Sequence, residues 1–199
     1  MAERTRWLPC PGGFTLIEMA LVLTVFGLVL VGGFEALRVQ TAKSRMEQTR
    51  SSMEEIEQAL LGFVTVNGRL PCAAVDPPDP VTPGEEDCGL VPSAGLLPWA
   101  TLGLKPVDAW GHRYAYRVTT LFTVAATFSG AVGDMVVRNA DDTGDMATNL
   151  AVLVRSLGPN GVLDAAINPT TFRIGSDDLL WWVPTDLLQF QRLRSYVGP

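Results

Sequence analysis

The pattern of apolar and polar positions changes character twice along this chain. From Phe14 to Leu37 apolar residues run almost continuously, and from Met19 to Phe34 no charged residue occurs. Beyond Leu37 the run becomes a period. Val39, Ala42, Met46, Thr49, Met53, Ile56, Leu60 and Phe63 recur at alternating spacings of three and four, which draws one stripe along an amphipathic helix. Arg45, Glu47, Arg50, Glu54 and Glu57 fall off that stripe. No proline occurs between Phe14 and Arg69, so a single helix of about 50 residues, roughly 75 Å long, is predicted. Gly62 or the Asn67-Gly68 pair is expected to end it. The small and flexible residues in the stripe favour packing on a domain or on neighbouring subunits over a free coiled coil.

The remainder reads as short strands. Leu70 to Pro106 is a loop region with eight prolines. After it, the alternation Tyr114, Tyr116, Val118 predicts a strand opened by a turn at Trp110-Gly111. Further strands are predicted in "MVVRN" from Met135, "LAVLVRS" from Leu150 and "LLWWV" from Leu179, with turn-rich segments such as "NADDTGD" and "LGPNG" between them. The expectation is a small antiparallel meander with the helix stripe covering one face, an α+β fold. The tail from Pro184 predicts a short amphipathic helix with Leu187, Leu188 and Leu193 on its apolar side. Trp181 and Trp182 read as strand core or a subunit contact rather than as membrane-interface anchors.

Charge narrows the function. The chain of 199 residues carries a formal charge of −6, whereas nucleic-acid binding needs clustered Lys and Arg. The acidity gathers at Asp76, Asp79, Glu85, Glu86 and Asp87, with no basic residue between Leu70 and Leu104. Of three cysteines, Cys10 precedes the apolar run and Cys72 and Cys88 follow it. If the run spans a membrane, the latter two lie where thiols oxidise. A Cys72–Cys88 bridge would close a loop of about 15 residues and contribute on the order of 3 kcal/mol. Zinc lacks ligands, since His112 is the sole histidine.

Glu18 stands at the edge of the apolar run, where an unpaired carboxylate is costly. A cleavable secretory signal fits poorly, because the run is too long and lacks a terminal Ala-x-Ala. A plain anchor of about 20 apolar residues fits in length but gives Glu18 no purpose. Cleavage between Gly13 and Phe14 would make Glu18 the fifth residue of the mature chain, one helical turn from a new α-amino group. Arg38, Lys43, Arg45 and Arg50 follow the run while only Arg4 and Arg6 precede it, so a positive-inside count does not favour a cytoplasmic N-terminus.

The stretch "GFTLIEMALVL" resembles the N-terminus of type IV pilins and of the pseudopilins of type II secretion systems. The resemblance implies cleavage after Gly13 by a prepilin peptidase, N-methylation of Phe14, and a role for Glu18 in subunit assembly, pairing with the Phe14 ammonium of a neighbouring subunit. "DAWGHRYAYRV" is similar to the Asp-x-Trp-Gly-x-x-Tyr-x-Tyr stretch of the major pseudopilin. "SLGPNG" followed by "GSDDLLWW" is a fainter likeness to a calcium loop. It would offer Asn160, Ser176, Asp177 and Asp178 as oxygen ligands for Ca2+, although Asn160 stands where the family has aspartate and Val162 to Gly175 is a long insertion. The other reading of Asn160-Gly161 is an ordinary β-turn.

The implied organisation is a cytoplasmic leader (1–13), a transmembrane and filament-core helix (14–37), its amphipathic continuation (38–66) and a β-rich periplasmic domain (67–199) with a Pro-rich disulfide loop (70–106). The fold is expected to be pilin-like, with the long helix packed on a small antiparallel sheet. The implied function is mechanical: a pseudopilus subunit that drives protein export. Its partners would be the prepilin peptidase, other pseudopilins and an inner-membrane assembly platform, with the chain a single-pass inner-membrane protein. A minor type IV pilin is the alternative. A tethered periplasmic enzyme is a remote third reading, since neither Gly-x-Ser-x-Gly nor His-Glu-x-x-His occurs and no catalytic residue is assigned.

Overall fold

The computed structural model describes residues 13, 15–89, 93–162, 166–168, 170–174 and 177–190. Cys10, Phe14 and Ser176, and the tail beyond residue 190, lie outside them. The chain divides into two compact units, Met1–Ser44 and Arg45–Pro199.

A single helix, α1, runs Leu16–Asn67. It stops where the Asn67-Gly68 signal predicted: Gly68 takes φ +66° and its N–H closes on Val64 O at 2.8 Å. Within the first unit, Leu16, Ile17, Leu21, Leu23, Phe26 and Leu28 are all exposed, Leu16 by 92%.

The expected membrane span is corrected here. Among the described residues no helix is long and apolar enough to cross a membrane. The uncharged run between Glu18 and Glu35 counts 16 residues, about 24 Å of helix, against the ~20 residues and ~30 Å that a bilayer core requires. The single-pass inner-membrane expectation therefore does not hold.

In the second unit the helix stripe meets a sheet. Thr49, Met53, Ile56 and Leu60 are buried as their spacing predicts, and Val64 continues the line in place of the half-buried Phe63. Seven strands are described: β1 (Ala94–Leu96), β2 (Ala115–Val118), β3 (Met135–Arg138), β4 (Asp145–Ser156), β5 (Ala166–Asn168), β6 (Thr171–Arg173) and β7 (Leu179–Pro184). A four-residue helix, α2 (Trp99–Leu102), follows β1, and two 3-10 turns lie between β2 and β3. The sheet order is β1-β2-β4-β3-β6-β5, and β7 also pairs with β4. β4 is thus the spine of the sheet. Another helix begins at residue 185.

The fold is α+β, but the sheet is mixed rather than an antiparallel meander, because β3 and β6 run parallel. The stretch read as a long loop, Val162 to Gly175, holds the β5–β6 pair, and this returns a strand beside β3. Thr171, Phe172, Arg173 and Ile174 carry the β-branched, alternating signal that would have revealed it.

Alternation along β4, interrupted by a register shift between Leu150 and Val152, separates two apolar clusters. Val152 and Val154 join Met53, Ile56, Leu60 and Tyr116 on one face. Leu153 joins Met135, Val137, Leu150 and Phe172 on the other. Likewise Trp181 packs with the first cluster and Trp182 with the second. Trp181 Nε1 also donates to Glu57 Oε2 at 3.2 Å, which fixes β7 to α1.

Candidate functional site

The N-terminal segment is built by a helix cap. Glu18 N–H donates to Thr15 Oγ1 at 3.3 Å and Met19 N–H to Thr15 O at 3.1 Å. Thr15 and Glu18 have the Ser/Thr-x-x-Glu spacing of a capping box, a signal present in the sequence and overlooked there. Glu18 sits in the first turn, where a carboxylate meets the positive end of the helix dipole. Gly13, the expected cleavage residue, is exposed with no neighbouring atom within 4 Å of its side-chain position. Gly13 and Glu18 are therefore both accessible.

In the second unit the Trp-Gly stretch forms a hairpin turn between Val107 and Arg113. Asp108 organises it from within. Its Oδ1 accepts the N–H groups of Trp110 and His112, both at 2.9 Å, and its Oδ2 accepts the Ser156 hydroxyl at 2.6 Å. Thr49 of α1 accepts the Ala109 N–H at 3.3 Å. One buried carboxylate thus joins the turn to the end of β4, and the turn to the helix through its neighbour.

An aspartate, a histidine and a serine meet here without triad geometry. The Ser156 hydroxyl donates to the carboxylate and is fully buried. His112 Nδ1 faces Gly158 O at 2.9 Å and stands 4.0 Å from Asp108 Oδ2. Nucleophilic catalysis needs the serine on the imidazole, with the carboxylate orienting the far side of the ring.

Of the residues expected to hold calcium, Asn160 and Asp177 come together, joined by a hydrogen bond from Asn160 Nδ2 to Asp177 Oδ1 at 3.1 Å. Asn160 Oδ1 in turn accepts Val162 N–H at 2.7 Å, so the amide turns its N–H2 side, not its oxygen, toward the carboxylate. The neighbouring Asp178 goes elsewhere: its side chain is fully buried and faces Arg155 at 4.0 Å. Burial pushes the Arg155 guanidinium down, against the pull of Asp178. The described residues therefore do not converge as an oxygen cage for Ca2+.

Cys72 and Cys88 form the expected disulfide, with Cα atoms 5.2 Å apart. Glu86 lies beside it and accepts both terminal nitrogens of Arg69 at 2.8 and 2.7 Å, together with Cys72 N–H at 2.9 Å. This bidentate pair ties the chain leaving α1 to the acidic loop. Cys72, Glu86 and Cys88 are also the one metal-ligand cluster among the described residues, but sulfurs joined to each other supply no thiolate.

Comparison with protein-family models, with curated proteins and with solved structures finds no match to this chain.

Proposed function

We propose that the chain is a pilin-like structural subunit, a pseudopilin that assembles into the filament of a type II secretion system and drives protein export. The observation that carries this reading is the exposed apolar part of α1. Leu16, Ile17, Leu21, Leu23, Phe26 and Leu28 have no covering partner among the described residues. Such a contiguous surface marks an interaction site, and covering each side chain is worth about 1.5–3 kcal/mol. Helices of further copies supply that cover in a filament. In this reading Glu18, in the first turn of α1, pairs with the Phe14 ammonium of a neighbouring copy, so that each charge offsets the desolvation of the other.

Prepilin peptidase is the first partner in this scheme, an assembly platform the second, and other pseudopilins the third. The test is intact mass and N-terminal sequencing of the protein from cells with and without the peptidase. A mature chain that starts at N-methylated Phe14, only where the peptidase is present, is the expected result. An uncut chain in both strains would overturn the proposal.

A further inference from the structure

Asn-Gly pairs are the most readily deamidated sequence in proteins, because glycine puts no side chain in the path of its own nitrogen. Two occur here, Asn67-Gly68 and Asn160-Gly161, and they are held in opposite ways. We infer that Asn160 is a site of structure-assisted deamidation and that Asn67 is protected.

The reaction begins when Gly161 N attacks the Asn160 side-chain carbon Cγ. A C–N bond forms, the attacking nitrogen loses its proton to solvent, and negative charge gathers on Oδ1. The Cγ–Nδ2 bond then breaks, and ammonia leaves with a proton from solvent. Water opens the resulting succinimide at either carbonyl to give aspartate or isoaspartate.

The turn prepares the first step. Val162 N–H already donates to Asn160 Oδ1 at 2.7 Å, so a backbone donor stands where the oxyanion develops. Asp177 Oδ1 accepts Nδ2 at 3.1 Å and restrains the amide from its other side. Asn160 is exposed, which admits the water that completes the reaction.

The glycine is not free to change. Gly161 has φ +66°, and a Cβ there would lie 2.6 Å from His112 Nε2. The fit of the turn against the imidazole therefore preserves the labile pair.

Asn67 is the contrasting case. It ends α1, and Gly68 N–H is committed to Val64 O at 2.8 Å. Its Nδ2 donates to Phe63 O at 3.0 Å. The attacking nitrogen is engaged in the helix cap, and the side chain is turned back along the helix.

Deamidation at Asn160 changes the corner. It replaces the amide donor with a second carboxylate facing Asp177 and takes the formal charge from −6 to −7. The turn is otherwise clasped closely to this segment: a Cβ on Gly158 would lie 2.2 Å from Asp177 O. Isoaspartate also lengthens the backbone by one carbon, which displaces the turn from His112. The reaction thus acts as a slow, irreversible release of the 158–161 turn.

The experiment incubates the full-length chain at mildly alkaline pH, folded in one sample and unfolded in urea in the other, and locates aspartate and isoaspartate by peptide mapping. In the folded chain Asn160 should react about tenfold faster than Asn67, the factor that one well-placed hydrogen bond is worth. It should also react faster folded than unfolded. Equal rates at the two sites in the folded chain, or slower reaction at Asn160 when folded, would overturn the inference. Both comparisons use the unaltered sequence, so neither depends on a variant that must fold.

Discussion

Removing the Asp108 carboxylate should destabilise the second unit more than any single hydrogen bond would suggest. In Asp108→Ala, the Ser156 hydroxyl loses its 2.6 Å acceptor in a fully buried position. An unsatisfied buried group costs about 1–3 kcal/mol. The N–H groups of Trp110 and His112 lose their acceptor as well. They sit in a half-buried turn that water can reach, so each adds nearer the ~0.5–1.5 kcal/mol of an ordinary hydrogen bond. The expected loss is about 3–5 kcal/mol, a large part of a typical domain's ~5–15 kcal/mol. Asp108→Asn is the informative control. Its side-chain oxygen keeps the two N–H groups, its amide donates to a rotated Ser156 hydroxyl, and only charge reinforcement disappears, at about 1–2 kcal/mol. Equilibrium urea unfolding followed by tryptophan fluorescence measures both as a shift in midpoint with little change in slope. The reasoning fails if Asp108→Ala lies within about 1 kcal/mol of the unaltered protein, or if Asn costs as much as Ala.

The remaining predictions concern titration and the capped terminus. Burial opposes ionisation of Glu86, yet Arg69 and the Cys72 N–H outweigh it and hold the carboxyl below its ordinary range. The stabilisation is complete above the pKa of the unfolded carboxyl and fades as pH falls through the lower folded value. Glu86→Gln should therefore cost about 1–2 kcal/mol at neutral pH, discounted for partial exposure, and flatten the acid limb of a stability-against-pH curve; parallel curves would count against it. Burial pushes the Tyr114 phenol up to about 12, with the Ser52 hydroxyl pulling the other way and Asp108 and Glu55 adding to the rise. A raised phenol stabilises fully below the unfolded value of ~10 and loses that contribution as pH climbs toward the folded one. Ultraviolet titration of Tyr114→Phe should lack one late-ionising step, and an unchanged trace would refute the assignment. At the N-terminus, Glu18→Gln keeps the capping spacing and loses only the charge, while Thr15→Ala removes the cap at a cost of about 1 kcal/mol in helix stability. Filament assembly in cells should fail with the first and persist with the second, and the reverse pattern would give Glu18 to the cap alone.

Much of the fold was legible because its signals are local. The stripe from Thr49 to Leu60, the Asn67-Gly68 stop and the strands at Ala115, Met135 and Leu179 each follow from spacings within a dozen residues. The β5–β6 pair escaped because three-residue strands carry too few alternations to stand out from a loop. β4 was anticipated only from Leu150 onward, although it begins at Asp145. Its polar first half reads as a turn, and becomes a strand through pairing with β3, a tertiary contact that composition does not announce.

The candidate sites divide along the same line between local and distant causes. Cys72 and Cys88 were paired correctly because closing a short proline-rich loop is a local argument. The Asp108 corner was not found, since its meaning lies in Ser156, 48 residues on, and nothing near Asp108 in sequence marks it as buried. Asp177 and Asp178 show the same limit in reverse. As neighbours they invited a shared ligand, yet one turns to Asn160 and the other to Arg155, because adjacent residues in extended chain point to opposite sides. Glu18 stands between these cases. The Thr15 cap explains why a helix begins at Leu16, and glutamine at position 18 would keep the capping-box spacing equally. The full charge gains from the positive end of the helix dipole, yet it borders six exposed apolar side chains. On the proposed filament reading, a cationic partner brought by assembly would offset the desolvation of that charge once those side chains are covered, a contribution beyond what the local cap and dipole supply.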